Sequence, residues 1–190
     1  TLSTGETITI AAGATTGTVS IAAPGDDPYI DAGTVSRTIS TATGGTFESL
    51  AINPAAASTN VTDDSDATTL TLTATPSVVE GTNITYTATL TNAAQTAVTV
   101  TLSSGETITI AAGATTDTVL VAAPSDDVYI DAGSVSRTIS TATGGNFELL
   151  TVNPAAAVIT VTDDSDVTTV TLTASPSVVE GGTIVYTATL

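Results

Sequence analysis

The chain has 190 residues, of which 19 are acidic and 2 are basic, so its formal charge is −17. This charge argues against nucleic acid and anionic membrane surfaces as partners. The absence of Cys excludes a disulfide-stapled fold, and no apolar run is long enough for us to expect membrane insertion by this segment. With 41% hydrophobic residues, the chain still has enough apolar material for a folded core.

The sequence repeats with a period of 100 residues, because residues 1–90 and 101–190 are identical at 70 of 90 positions. All the acidic residues of the first copy recur in the second. Such a long, clean period predicts a tandem array of whole domains rather than a single enzyme.

Strand patterns, rich in Thr, Val and Ile, recur along the chain. Residues 83–91 are the clearest case, since Ile84, Tyr86, Ala88 and Leu90 alternate with threonines. The same pattern predicts seven strands, A to G, near residues 70–75, 83–91, 97–103, 106–110, 117–123, 134–140 and 157–163. Seven short strands in about 100 residues predict an all-β fold of tandem immunoglobulin-like antiparallel β-sandwiches.

The acidic sequence VTDDSD, which follows strand G, is interpreted as the linker between units. Residues 1–69 are then an incomplete first unit that lacks its N-terminal strands, and residues 70–168 are a complete middle unit. Residues 169–190, the third segment, supply the first strands of a third unit. A boundary at residue 100 is the alternative.

Antiparallel strand order brings distant acidic residues to one end of the middle unit, the acidic end. The A–B, C–D and E–F connections and the end of strand G all lie there. The residues collected are Glu80, Glu106, Asp126, Asp127, Asp131, Asp163, Asp164 and Asp166. Asp117 and Glu148 are expected at the opposite end.

These carboxylates need a partner, because each close pair repels by about 1 kcal/mol even in water. The chain has no Lys, and its cations are Arg37 and Arg137. Oxygen ligands without His or Cys select a hard ion, and Ca²⁺ suits flexible loops. We therefore predict Ca²⁺ as the cofactor, although solvated turns are the alternative interpretation.

The predicted metal ligands are Glu80, Asp126, Asp127, Asp163, Asp164 and Asp166, with the counterparts Asp26, Asp27, Asp63, Asp64, Asp66 and Glu180. Asp131 and Glu106 are weaker candidates, and Glu48 and Glu148 are interpreted as surface charges. Arg137 shares strand parity with Val135 and Ile139, so its side chain points where an apolar residue would be expected. We therefore expect an edge strand whose charge reaches solvent. An internal counter-ion is the alternative role for this arginine.

Three stretches resemble the Calx-β pattern: SVVEG at 77–81, IAAGATTDTVLVAAPSDDVY at 110–129 and ITVTDDSD at 159–166. The whole chain is similar to the extender repeats of giant biofilm adhesins, the large adhesion proteins of pseudomonads and related RTX adhesins. The resemblance implies Ca²⁺ binding at one end of a Calx-β-like sandwich, through Glu80, the Asp126 pair and the 163–166 cluster. It also implies an extracellular stalk at the bacterial cell surface, exported by type I secretion.

We therefore predict calcium-rigidified extender repeats of an adhesin, which project a distal adhesive domain for attachment and biofilm formation. The expected partners are adjacent repeats of the same chain. The alternative is a calcium-dependent carbohydrate- or surface-binding module, with Tyr29 and Tyr129 as candidate contacts. An enzyme is not expected, because the usual nucleophile–base pairs need His, Cys or Lys.

Strand donation between chains is a further expectation. Residues 170–190 of one chain would complete residues 1–69 of another, head to tail, as an added pair of strands.

Overall fold

The computed structural model describes residues 1–190 and contains strands but no helix, as the sequence predicts. The strands are β1 (Gly33–Arg37), β2 (Ala57–Val61), β3 (Ala67–Ala74), β4 (Ser77–Val79), β5 (Asn83–Leu90), β6 (Val98–Leu102), β7 (Thr107–Ile110), β8 (Thr116–Ala122), β9 (Gly133–Arg137), β10 (Ile139–Gly144), β11 (Leu149–Val152), β12 (Ala157–Thr162), β13 (Thr171–Ala174) and β14 (Tyr186–Thr189). The structure has no helix that is long and apolar enough to span a bilayer.

Residues 67–162 form a two-layer β-sandwich. One layer has the strand order β11-β3-β5-β8, and the other consists of β4-β12-β9 and β10-β6-β7. The two parts of the second layer are continuous along the chain, because only Thr138 separates β9 from β10. Most neighbours are antiparallel, while β11–β3 and β12–β4 are parallel. The predicted all-β sandwich is therefore confirmed.

Predicted strands B, C, D, E and G agree with β5, β6, β7, β8 and β12 to within one residue at each end. Strand A differs, because the chain passes from one layer to the other at Pro76, which has no N–H to donate. β3 therefore lies in the first layer, and β4 pairs with β12 in the second. Strand F is longer than predicted, and β11 was not predicted at all.

The core lies between the two layers, and every buried residue falls between Thr68 and Val161. The predicted alternation along β5 is confirmed, since its core-facing side chains are at most 3% exposed. Those side chains are Ile84, Tyr86, Ala88 and Leu90. Ile159 of β12 packs in the same cluster, so both layers share one core.

The first unit and the third segment each form a two-stranded sheet without buried residues. β1 pairs with β2 in the register that β9 and β12 use in the middle unit. In β13–β14, Leu172 is 68% exposed and Tyr186 is 65% exposed, whereas their counterparts Leu72 and Tyr86 are buried. The same apolar sequence thus forms a core only where a second layer covers it.

Arg137 ends β9, which pairs with β12, whereas β10, the continuation of the same strand, pairs with β6, so strand F is not an edge strand along its whole length. The Arg137 side chain is half-buried, and Nη1 donates a hydrogen bond to the Ser136 carbonyl at 3.0 Å. The guanidinium therefore makes its hydrogen bond to its own strand.

Two neighbours on β12 test the two-layer packing. Ile159 is completely buried and Val158 is 61% exposed. Ile159→Ala should lower the free energy of unfolding by about 2–5 kcal/mol, because it leaves a cavity between the layers. Val158→Ala should change it by less than about 0.5 kcal/mol. Urea denaturation measures both, and equal losses would contradict the described core.

Candidate metal centre

Glu80 is the central residue of the candidate metal centre. It follows β4, and its N–H donates to the Thr162 carbonyl at the end of β12 at 3.0 Å. Its side chain is only 4% exposed. The next residue, Gly81, has φ +70°, and a Cβ there would lie 3.0 Å from the Cβ of Asp126. The Glu-Gly sequence therefore allows the turn to pack closely against Asp126.

The loop between β8 and β9, residues 123–132, is fixed to the same end. The Gly81 N–H donates to the Pro124 carbonyl at 2.7 Å. At the other end of the loop, the Asp131 N–H donates to Asp163 Oδ1 at 3.3 Å. These contacts hold Asp126 and Asp131 beside the acidic stretch that follows β12.

Three groups of carboxylates could each hold a metal ion, because the ligand oxygens within a group lie within 4.8 Å of one another. Two groups lie in the middle unit and share Glu80, and the third lies in the first unit. The groups are Glu80, Asp126 and Asp164; Glu80, Asp131 and Asp163; and Asp26, Asp64 and Asp66.

Burial and repulsion raise the pKa of several of these carboxyl groups. Burial is the main cause for Glu80, helped by a hydrogen bond with Asp131, and raises its pKa to about 7. The pKa of Asp126 is raised foremost by the charge of Asp164. The pKa of Asp26 is raised foremost by Asp64, so the same repulsion occurs in the first unit. Protons or an added cation can relieve it.

The structure brings together most of the predicted ligands. Glu80, Asp126, Asp163 and Asp164 meet in the middle unit, and Asp26, Asp64 and Asp66 meet in the first unit. Asp166 lies close enough to raise the pKa of Asp126, and Asp63 Oδ2 accepts from the Asp31 N–H at 3.2 Å.

The remaining predicted ligands have other positions. Asp127 and Asp27 lie beside the groups, but each accepts through Oδ1 from the N–H of the tyrosine two residues later. Glu180 is exposed in the turn between β13 and β14 and belongs to none of the three groups.

Asp131 was a weaker candidate, yet it belongs to one of the groups. The reason is strand pairing: Gly133 of β9 is opposite Val161 of β12, so residues 131 and 163 lie just beyond that pair. Knowing that strands F and G pair in this register would have identified Asp131.

Glu106 does not reach the acidic end, so this part of the prediction was wrong. The turn between β6 and β7 ends beside Thr138, because the Ser103 N–H donates to the Thr138 carbonyl at 2.9 Å. β9 begins at the acidic end with Gly133 and runs away from it, so Thr138 lies five residues from that end. The β6–β7 turn beside Thr138 therefore does not reach the acidic end. A hydrogen bond from the Ser104 hydroxyl is the main cause that lowers the pKa of Glu106, with Arg137 a smaller one.

Glu148 lies at the opposite end of the middle unit, as predicted, but it is not a simple surface charge. That end contacts the first unit, where Glu148 Oε2 accepts from the Asp66 N–H at 2.7 Å. This hydrogen bond lowers its pKa, but burial and the charges of Asp63, Asp64 and Asp66 outweigh it, so the pKa is raised. The contact depends on a neighbouring unit, which the pattern of one unit cannot reveal.

The family profile of the LapA domain matches residues 1–64 and 66–164. The chain belongs to the LapA domain family. This is the domain of the large adhesion protein of pseudomonads, so the resemblance seen in the sequence is confirmed. LapA domains form a structural, non-catalytic family of cell-surface adhesins, which associates the chain with adhesion and biofilms. No individual curated protein gave a match.

The raised pKa of Glu80 predicts how the stability of the metal-free LapA unit depends on pH. The folded state holds the Glu80 proton up to about pH 7, whereas the unfolded state releases it near the ordinary value of 4.5. The free energy of unfolding contributed by Glu80 should therefore be present below pH 4.5 and be lost as the pH rises towards 7.

Urea denaturation in EDTA across this pH range measures the effect, and Glu80→Gln should flatten it. Glu180→Gln is the matched control, because Glu180 is the exposed counterpart in the third segment. A slope unchanged by Glu80→Gln would contradict the assignment.

Proposed function

We propose that this chain is a set of calcium-rigidified extender repeats in the stalk of a cell-surface adhesin, and that it projects a distal adhesive domain. The observation that supports the proposal best is the sharing of Glu80 by two carboxylate groups at one end of the middle unit. Glu80 is buried, and three loops of different sequence position meet around it. A cation at this place would join those loops.

The chemistry of the ligands favours Ca²⁺. The chain has no His or Cys, so every side-chain ligand in the groups is a carboxylate oxygen. Ca²⁺ accepts about 6–8 oxygens in adaptable geometry, whereas Mg²⁺ requires a near-ideal octahedron. Glu80 and the four carboxylates around it, with backbone carbonyls and water, suit the more adaptable ion.

The two arginines are not hydrogen-bonded to these carboxylates and so do not compensate their charge. Arg37 and Arg137 each donate through Nη1 to the carbonyl of the preceding serine. Calcium binding to the native state alone would stabilise the fold by mass action. Extracellular modules bind Ca²⁺ with Kd of roughly 10⁻⁴–10⁻³ M, so the repeats would fold outside the cell and stay less stable inside. This behaviour suits export through a narrow channel, as in type I secretion.

A stalk also needs neighbouring units to be held in line. The acidic end of the first unit contacts the opposite end of the middle unit through Asp66 and Glu148. Calcium at the acidic end would order the loops that make this joint. Tandem units joined in this way form a stiff spacer rather than a flexible chain.

A calcium-dependent carbohydrate- or surface-binding module is the second candidate. It is favoured by Tyr129, which is 74% exposed and lies in the loop that carries Asp126 and Asp131. Aromatic faces beside a metal ion are a common place for sugars to stack. A glycan array probed with and without Ca²⁺ tests this function, and calcium-dependent hits that Tyr129→Ala removes would support it over the stalk.

We also propose that the 190-residue chain associates head to tail by strand donation. The β13–β14 sheet exposes Leu172 and Tyr186, and in the first unit residues 16–22 lack the neighbour that their counterpart β8 has in β5 of the middle unit. Sedimentation should therefore show a concentration-dependent oligomer. A monomer at all concentrations would contradict strand donation without affecting the stalk.

Calcium should raise the melting temperature of the protein in calorimetry. At a free Ca²⁺ concentration of 100 times Kd, the native state gains about 2.7 kcal/mol. Asp164→Asn should weaken this gain, because it removes one carboxylate from the group around Glu80. Asp117→Asn is the matched control, since Asp117 is exposed on β8 outside all three groups. An EDTA melt identical to the Ca²⁺ melt would refute the proposed cofactor.

Small-angle scattering tests the mechanical part of the proposal. The maximum dimension should be greater and better defined in Ca²⁺ than in EDTA, because ordered joints keep the units in line. Mg²⁺ at equal concentration serves as the control for general screening of charge. An unchanged maximum dimension together with a calcium-dependent melt would leave calcium binding in place but remove the stiffening role.

A further inference from the structure

One loop and one turn each occur twice in this chain, and the two copies of each differ in their exposure to solvent. The loop is residues 23–32 in the first unit and 123–132 in the middle unit, and the turn is residues 45–48 and 145–148. Tyr29 of the first loop is half-buried, whereas Tyr129 is 74% exposed. Phe147 of the second turn is 6% exposed, whereas Phe47 is 69% exposed. The two shielded residues contact each other, and Phe147 also packs in the core of the middle unit.

Tyr29 and Phe147 join the first unit to the middle unit. Their rings stack with centroids 5.8 Å apart and planes 26° apart, and the two residues form an antiparallel β-bridge. The Tyr29 hydroxyl donates to the Ala93 carbonyl at 2.7 Å. One side chain thus combines ring stacking with a hydrogen bond that satisfies its polar end.

Backbone hydrogen bonds flank the stacked pair. The Ile30 N–H donates to the Asn146 carbonyl, and the Glu148 N–H donates to the Pro28 carbonyl, both at 3.1 Å. The Asn146 side chain donates to the Ile30 carbonyl at 3.4 Å. The first two bonds join main-chain groups only, so any repeat with the same loop and turn can form them.

The turn that receives the loop already has its shape in the unit where nothing is docked. Gly45 and Gly145 both have positive φ, and at both positions a Cβ would collide with the phenylalanine two residues later. The ring of Phe47 therefore packs over Gly45 as the ring of Phe147 packs over Gly145. The receiving surface is pre-organised, so docking requires little rearrangement.

We propose that the tip of the 123–132 loop, residues 128–130, is a docking surface for the turn of another copy of this repeat. Val128, Tyr129 and Ile130 are 54%, 74% and 91% exposed, which makes them an apolar patch. The occupant presents the counterparts of Asn146, Phe147 and Glu148, as the middle unit presents them to Tyr29. The 45–48 turn of the first unit, which carries the exposed Phe47, is an unoccupied copy of this receiving turn. The contact goes beyond the proposed function, because it joins repeats without requiring a cation.

The first test uses the joint inside this chain. Tyr29→Ala should raise the hydrogen-exchange rates of the Ile30 and Glu148 amides by about tenfold or more, because the stacked ring no longer shields their bonds. Tyr129→Ala is the matched control and should leave both rates unchanged. The β5–β8 amides report folding and should stay protected in both variants. Unchanged Ile30 and Glu148 rates in Tyr29→Ala would overturn the proposal.

The second test supplies the missing partner. Repeating residues 91–168 after Leu190 completes a further unit that carries the receiving turn. The Ile130 amide should then exchange at least about tenfold more slowly than in the 190-residue chain, and Tyr129→Ala should abolish this protection. No added protection of Ile130 in a folded longer chain would overturn the proposal. Running both tests in Ca²⁺ and in EDTA separates docking from calcium binding, since docking should persist in EDTA.

Discussion

Repulsion between carboxylates is the constraint on which the rest of this structure depends. The fold gathers four of them around Glu80, while the two arginines of the chain make their hydrogen bonds elsewhere. Glu80 is buried, so neither water nor distance screens its charge well. Bound protons or cations would therefore stabilise the acidic end.

One loop serves both the acidic end and the joint between units. In the first unit, the 23–32 loop carries Asp26 to its carboxylate group and Tyr29 to the middle unit. The Asp27 side chain, which accepts from the Tyr29 N–H at 2.9 Å, connects the two. A proton or cation that orders the acidic residues of this loop would therefore also order Tyr29. Under the proposed function, ions bound at the acidic residues would therefore affect the alignment of neighbouring units.

Stability in this chain is local to each unit. Only residues 67–162 form both layers, and every buried residue lies between Thr68 and Val161. The first unit and the third segment contain the same apolar positions, but their sheets lack a covering layer, so residues such as Leu172 remain exposed. A tandem array of this kind gains stability from complete units and from the contacts between neighbours. The stacking of Tyr29 on Phe147 is one such contact between neighbouring units.

The sequence by itself determined the all-β fold, most strand positions and the core face of β5, because a period of two follows directly from strand geometry. It also determined that Glu80, Asp126 and Asp164 meet, since antiparallel strands alternate between two ends. Only the tertiary structure decided the rest. Glu106 does not reach the acidic end, because the β6–β7 turn ends beside Thr138, halfway along strand F. The alternation of apolar and polar residues does not determine the length of a strand or its offset from the neighbouring strand. Asp131 and β11 depend on which strands pair and in what register. The roles of Glu148 and Tyr29 arise between units, where a pattern that repeats identically in each unit carries no information about which copies touch.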